Sequence, residues 1–229
     1  MNNLKPNEQR AKTAIILIWF VLVIEIVSLF SNYFQYELLK SAANGDTITH
    51  EAAASNDLRQ QIILITFIVL YFISAFTFIR WFRRAYFNLH TKTIYLYHSE
   101  GWAAGCWFTP FINLYRPYQI MKELYEVTEY ILNERIENYT KKTTTSFLWI
   151  WWTLWFLSSF TRQYLYNLSR KATTIDQLNY VTIVGIVSAV IMIPLALITI
   201  KIISDYSTIE SLLINIKDEP VSNIQEESI

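Results

Sequence analysis

The sequence predicts an all-α, polytopic helical membrane protein, and three observations carry that prediction. Of 229 residues, 53% are hydrophobic and only 17% are charged, below the roughly 25% usual in soluble domains. Four long apolar runs recur along the chain, too long for core strands. Four glycines and five prolines are too few to punctuate an all-β or disordered chain. The 19 basic and 19 acidic residues cancel, which gives no basic surface for nucleic acid. A single cysteine excludes an internal disulfide and a cysteine-cluster metal site.

Residues 1–13 form a short basic N-terminus with Lys5, Arg10 and Lys12 against Glu8. The first apolar run, 14–34, is broken only by Glu25. It is too long for the apolar core of a signal peptide and lacks a small-residue cleavage site, so it reads as a retained anchor. The second, 62–79, and the fourth, 180–203, clear the minimum of about 17 residues for a spanning helix. Ser146–Phe160 is short and strongly aromatic, and reaches spanning length only as 144–161. Four spans are therefore expected. Each must be helical, because a lone segment in lipid has to satisfy its own backbone. Gly185 and Ala189 make a small-residue pair for close packing in the fourth span, and Pro194 is expected to kink it.

Gly101–Tyr115 is different, because it is apolar but contains Pro110 and Asn113. At 1.5 Å per residue it falls short of a hydrocarbon core of roughly 30 Å. An interfacial or buried helix, a re-entrant segment and a full span all remain open for it. Beyond it, Ile120, Leu124, Val127, Ile131 and Leu132 recur at helical spacing, opposite Lys122, Glu123, Glu126, Glu129 and Glu134. That pattern predicts an amphipathic helix over 117–139, on the membrane surface or beneath the bundle. An acidic cytoplasmic tail is expected over 204–229.

Charge by region orients the chain. Basic residues gather before the first span and after the second, where Arg80, Arg83, Arg84 and Lys92 cluster. The positive-inside bias then puts both termini and 80–145 in the cytoplasm. Arg162, Arg170 and Lys171, assigned to an outer loop, run against it.

Several residues carry a resemblance. The stretch Gly101-Trp102, Trp107-Phe108, Pro110, Asn113-Leu114 and Arg116-Pro117-Tyr118-Gln119 resembles the signature of a bacterial membrane-protein family, domain of unknown function 4328. Arg80-Trp81, Arg84-Ala85-Tyr86 and Asn88-Leu89, with Trp151, Trp152 and Trp155, add to the similarity, which covers about 60–200. The resemblance implies an integral protein of the bacterial inner membrane with several spans and no established activity.

Chemistry narrows the candidates. Gly101 and Gly105 would form a smooth helix face for close packing. Pro110 would leave a carbonyl near Cys106 for Asn113 to satisfy, and Arg116 would reach lipid phosphate or an acid. Glu25 is the sharpest residue, since an ionisable group within a span costs at least about 2.5 kcal/mol. Val21, Glu25, Ser28 and Asn32 share one helical face, so it should look inward toward Thr66, Ser74, Thr77 or Asn113. His90 and His98 are spaced for no helical metal motif. No phosphate loop, HExxH, GxSxG or nucleotide fingerprint occurs. The chain therefore reads as a non-enzymatic membrane component without cofactor or metal. Its expected partners are the lipid bilayer and a membrane subunit or a second copy, with no nucleic acid. A small oligomeric transporter or channel component using Glu25 is the alternative. A membrane-embedded lipid-active enzyme is a third reading, for which only Arg116, Glu100, His90 and His98 stand near the interface.

Overall fold

A computed structural model describes residues 4–141 and 143–216, all of them in helices, turns or irregular segments. The helices are α1 (Glu8–Ala43), α2 (His50–His90), α3 (Trp102–Gly105), α4 (Arg116–Arg135), α5 (Leu148–Ser169) and α6 (Ile175–Asn215), with a 3₁₀ turn at Ile112–Leu114. The apolar runs at 14–34, 62–79 and 180–203 fall inside α1, α2 and α6, and polar flanks extend each helix well past its run. Pro194 sits within α6.

Among the described residues three helices, α1, α2 and α6, are long and apolar enough to cross a membrane. The expectation of four is corrected. The third run lies in α5, which is 22 residues long but dilutes its leucines and phenylalanines with Trp, Ser and Thr. It also continues through Arg162 and Gln163, so its charge lies inside the helix rather than in the loop expected at 162–179.

The chain divides into two compact units. The first gathers the described residues of Met1–Ala14, Phe76–Leu148 and Ile202–Ile229. Its core is dense and aromatic: Trp81, Phe82, Tyr86 and Leu89 of α2, Ile120, Met121, Leu124 and Tyr125 of α4, and Ile202, Tyr206, Ile209 and Leu213 of α6 are all fully buried. The Tyr125 hydroxyl donates to the Ile202 carbonyl at 2.7 Å, and Thr128 Oγ1 meets the Tyr206 hydroxyl at 3.2 Å. Such bonds let hydroxyls enter the core without losing a partner.

Helix α4 is amphipathic as expected, and half of its residues are buried in the core of this unit. Ile120, Leu124, Ile131 and Leu132 are buried, and so are Glu123 and Glu129, which the charge pattern had put on the wet face. Pro117 stands in its first turn, where the missing N–H costs nothing. The helix stops at Arg135, short of 139, because Ile136 is extended and Asn138 takes φ 59°. The tail boundary at 204 also moves, since α6 runs on to Asn215 with Tyr206, Ile209 and Leu213 buried. The acidic residues Asp218, Glu219, Glu226 and Glu227 lie outside the described residues, as does Lys142.

The second unit comprises Ile15–Ala75 and Trp149–Lys201. Val21, Leu22, Ile63, Phe67, Ala189 and Met192 face inward, whereas Phe20, Phe30, Phe72 and Phe160 are exposed. An exterior of large exposed aromatics and aliphatics is unsuited to water but matches a hydrocarbon slab. A Cβ on Gly185 would stand 3.2 Å from Asn32 Nδ2. The small-residue position in α6 therefore admits a polar side chain from α1.

Candidate functional site

Glu25 is 3% exposed in the interior of the second unit, as the polar face of α1 predicts. Its partner is not among Thr66, Ser74, Thr77 and Asn113. It is Arg162 of α5, whose guanidinium donates directly to the Glu25 carboxylate. The same guanidinium lies 4.0 Å from the centre of the Phe67 ring of α2. One cation thus ties α5 to α1 by charge and to α2 by its π face. Burying two charges is tolerable only when each compensates the other.

Beside the pair lies a cavity of about 490 Å³. Ile63, Phe67 and Ile68 of α2, Leu165 of α5 and Val181 of α6 make apolar walls, while Ser28, Asn32, Gln35, Gln60, Thr182 and Ser188 supply polar groups. Several of these are engaged with one another. Gln35 Nε2 donates to Thr182 Oγ1 at 2.9 Å, and Gln60 Nε2 lies 3.3 Å from the Ser31 carbonyl. Arg59 donates to Ser31 Oγ at 2.9 Å and to Asn56 Oδ1 at 2.6 Å. The Ser188 hydroxyl is buried without a hydrogen-bond partner. Sequence reasoning missed this amide network. Gln35, Asn56, Arg59 and Gln60 lie past the apolar runs, in helix extensions that hydropathy leaves out.

Trp151 Nε1 donates to Thr199 Oγ1 at 3.1 Å, joining α5 to α6. Trp152 and Trp155 stack face to face at 4.7 Å. The aromatic motif of the third run is thus packing and inter-helix bonding within the second unit.

The other motif residues belong to the first unit. Gly101–Tyr115 is not one continuous helix. It is a chain of turns, with one helical turn at Trp102–Gly105, a 3₁₀ turn at Ile112–Leu114 and Phe111 at φ 63°. Pro110 breaks the donor series, and its carbonyl takes the Ile112 N–H at 2.7 Å. Asn113 contributes its backbone N–H to the Thr109 carbonyl. No close helix packing forms at the glycines, because a Cβ on Gly101 would meet open space. Trp107 packs edge-on against Phe78 and Phe82. Arg116 stacks over the Trp102 ring at 4.8 Å, so the motif closes on itself through a cation–π contact.

Asn88 is the centre of a buried polar knot. Its Nδ2 donates to Glu210 Oε1 at 2.7 Å and to the Lys5 carbonyl at 2.9 Å, while its Oδ1 receives the Lys5 N–H at 3.1 Å. Asn7 Nδ2 reaches Glu210 Oε2 at 2.9 Å. Burial pushes the Glu210 carboxyl above the ordinary range, against the pull of Asn7, Asn88 and Arg84. An acid raised on folding stabilises fully below its unfolded value near 4.5, and that contribution is lost as pH rises through its folded value. Glu210→Gln should therefore flatten the decline in stability of the detergent-solubilised protein as pH rises above about 4.5, as read by thermal unfolding. An unchanged slope would remove Glu210 as its source.

Glu123 and Glu129 are acceptors of the same kind. Glu123 takes the Tyr86 hydroxyl at 2.7 Å and the Tyr97 N–H at 2.6 Å. Glu129 takes the Tyr139 hydroxyl at 2.8 Å, and both N–H and hydroxyl of Thr143. Burial and the Glu123 bond drive the Tyr86 hydroxyl far above its usual value. The groups nominated for lipid chemistry are each engaged with a protein neighbour. His90 Nε2 sits 3.0 Å from the His98 carbonyl, Glu100 pairs with Arg83 at 2.9 Å, and Arg116 stacks on Trp102. No group of three or more His, Cys, Asp or Glu able to hold a metal occurs among the described residues.

No curated protein and no solved structure matches the chain. A family model described as "Domain of unknown function (DUF4328)" matches residues 44–208. That range is well over half of the 229 residues and holds Asn88, Arg116, Trp151 and Arg162. The chain belongs to the DUF4328 family.

Proposed function

We propose that this is a non-enzymatic protein of the bacterial inner membrane that binds a lipid within its helical unit. The cavity beside Glu25 and Arg162 carries this reading. Its walls combine aliphatic and aromatic side chains with a strip of amides and hydroxyls, which is the chemistry of an amphiphile: an acyl chain along Ile63, Phe67 and Val181, and a polar group at Gln60 and Thr182. A volume near 490 Å³ holds part of a chain and not a whole phospholipid, so the ligand would enter by one end. By the positive-inside bias, the basic groups of the first unit face the cytoplasm.

Use of Glu25 as a proton or cation site is the second reading, favoured by its burial beside that cavity. It requires Arg162 to release the carboxylate during the cycle. The pairing fits a fixed support better, because separating buried partners costs several kcal/mol. The lipid reading is tested with a diazirine-bearing acyl phospholipid, photolysed on the protein in detergent. Thr182→Trp fills the cavity and should cut the labelling of α2 and α6 at least about fivefold, with the protein still folded. Equal labelling would reject the cavity as the site.

A further inference from the structure

Outside the cavity, the first unit is rich in cations, and Arg10 stands close enough to Arg80, Arg83 and Arg84 to feel their charge. Six cations, Lys5, Arg10, Lys12, Arg80, Arg83 and Arg84, are carried on the start of the chain and the end of α2. Three carboxylates oppose them, and each is already committed: Glu8 to Lys12, Glu100 to Arg83, and Glu210 to the buried amides of Asn7 and Asn88. Among the described residues no carboxylate pairs with Arg10, Arg80 or Arg84. Instead they are held by neutral groups. Arg10 Nη1 donates to the Arg80 carbonyl at 3.1 Å, Arg80 lies over the Phe76 ring at 5.6 Å, and Arg84 lies over Phe87 at 5.9 Å. Lys5 shares the Phe87 ring from 4.7 Å. The mutual repulsion is felt: with burial, the charges of Arg84, Arg80 and Arg83 depress the Arg10 guanidinium. Arg84 does pull on the buried Glu210 carboxyl, but three like charges beside that one acid are under-compensated, and an anion between them repays the cost.

Position says where the anion comes from. Arg80 follows Ile79, the last residue of the second apolar run, and Arg84 is one turn further on the same face of α2. Arg10 lies one turn before Ala14, where the first run begins, about 6 Å along the helix. All three therefore stand at the level where a bilayer's hydrocarbon gives way to phosphate. Arginine suits that ligand, since its planar fork matches phosphate oxygens.

We propose that Arg10, Arg80 and Arg84 form a phosphate-binding site for the headgroup of an anionic phospholipid. The site is separate from the cavity beside Glu25 and stands or falls independently of it. The full-length protein in a neutral detergent is titrated with short-chain phosphatidylglycerol, with phosphatidylcholine of equal chain length, and with inorganic phosphate. Wild type should prefer phosphatidylglycerol by about tenfold or more. Arg80→Gln with Arg84→Gln should erase about 25-fold of its affinity, at roughly fivefold per basic group, while the paired lysine variant keeps most of it. The lysine pair also separates loss of binding from loss of fold. Equal affinity for the two lipids in wild type would overturn the proposal, as would an unaltered preference in the glutamine pair. Competition by inorganic phosphate at the lipid's own concentration would overturn the lipid assignment and make free phosphate the ligand.

Discussion

Replacing Arg162 by Met should destabilise the protein by about 3 kcal/mol, the expected cost of leaving one member of a buried ion pair behind. Arg162 is the cation that meets Glu25 within the second unit, and its own side chain is only 29% exposed. Its loss also removes the contact with Phe67. The diagnostic variant is the double one. Glu25→Leu with Arg162→Met removes both charges and should recover most of the loss, because two apolar side chains fill the space without a desolvation cost. A double-mutant cycle by thermal or denaturant unfolding in detergent measures the coupling, expected at about 2 kcal/mol or more. Additive single effects would mean that the pair contributes nothing to holding α5 against α1.

Asn88→Ala should cost a similar amount, about 3 kcal/mol, in the first unit. One amide there closes two hydrogen bonds with the Lys5 backbone and one with Glu210. Bonds to a charged group are worth roughly 1.5–3 kcal/mol, and an orphaned buried acceptor pays its full desolvation penalty. The loss should shrink when Glu210 is also changed to Leu, since the carboxylate that needed Asn88 is then gone. Unfolding curves for the two singles and the double decide this. A loss that stays the same in the Glu210→Leu background would show that Asn88 acts through the N-terminal backbone alone.

These two sites mark what could and could not be read from the chain. Three apolar runs lie within α1, α2 and α6, because twenty apolar residues in sequence admit no other structure in lipid. Glu25 was legible as an inward residue, since its face of α1 also carries Val21 and Asn32, which approaches Gly185. Its partner was not. A charge ends an apolar run in a hydropathy reading, so Arg162 was assigned to a loop. Inside α5 it is compensated by Glu25, the one acid buried in the unit. Glu123 and Glu129 were misplaced for a related reason. Helical periodicity sorts residues by polarity, and it cannot tell that a carboxylate is buried to accept from Tyr86, Tyr139 and Thr143. The central motif was legible as something special but not as a string of turns, since Pro110 forbids a helix without naming the alternative.

The long helix extensions were invisible for a simpler reason. Asn56, Arg59, Tyr206 and Glu210 are polar or lie outside the apolar runs, yet each is in a helix and bonded to a distant segment, Asn56 to Gln35 and Arg59 to Ser31. Local composition does not record such tertiary partners.

The lipid-binding reading meets its most direct test in the map of photolabelled residues, read by mass spectrometry after digestion. An acyl diazirine held in the cavity should mark inward positions, foremost Ile63, Phe67 and Val181, and these labels should disappear in Thr182→Trp. Labels confined to outward residues such as Phe20, Phe30 and Phe72, unchanged by that substitution, would mean that lipid only coats the helices, and would contradict a site within them.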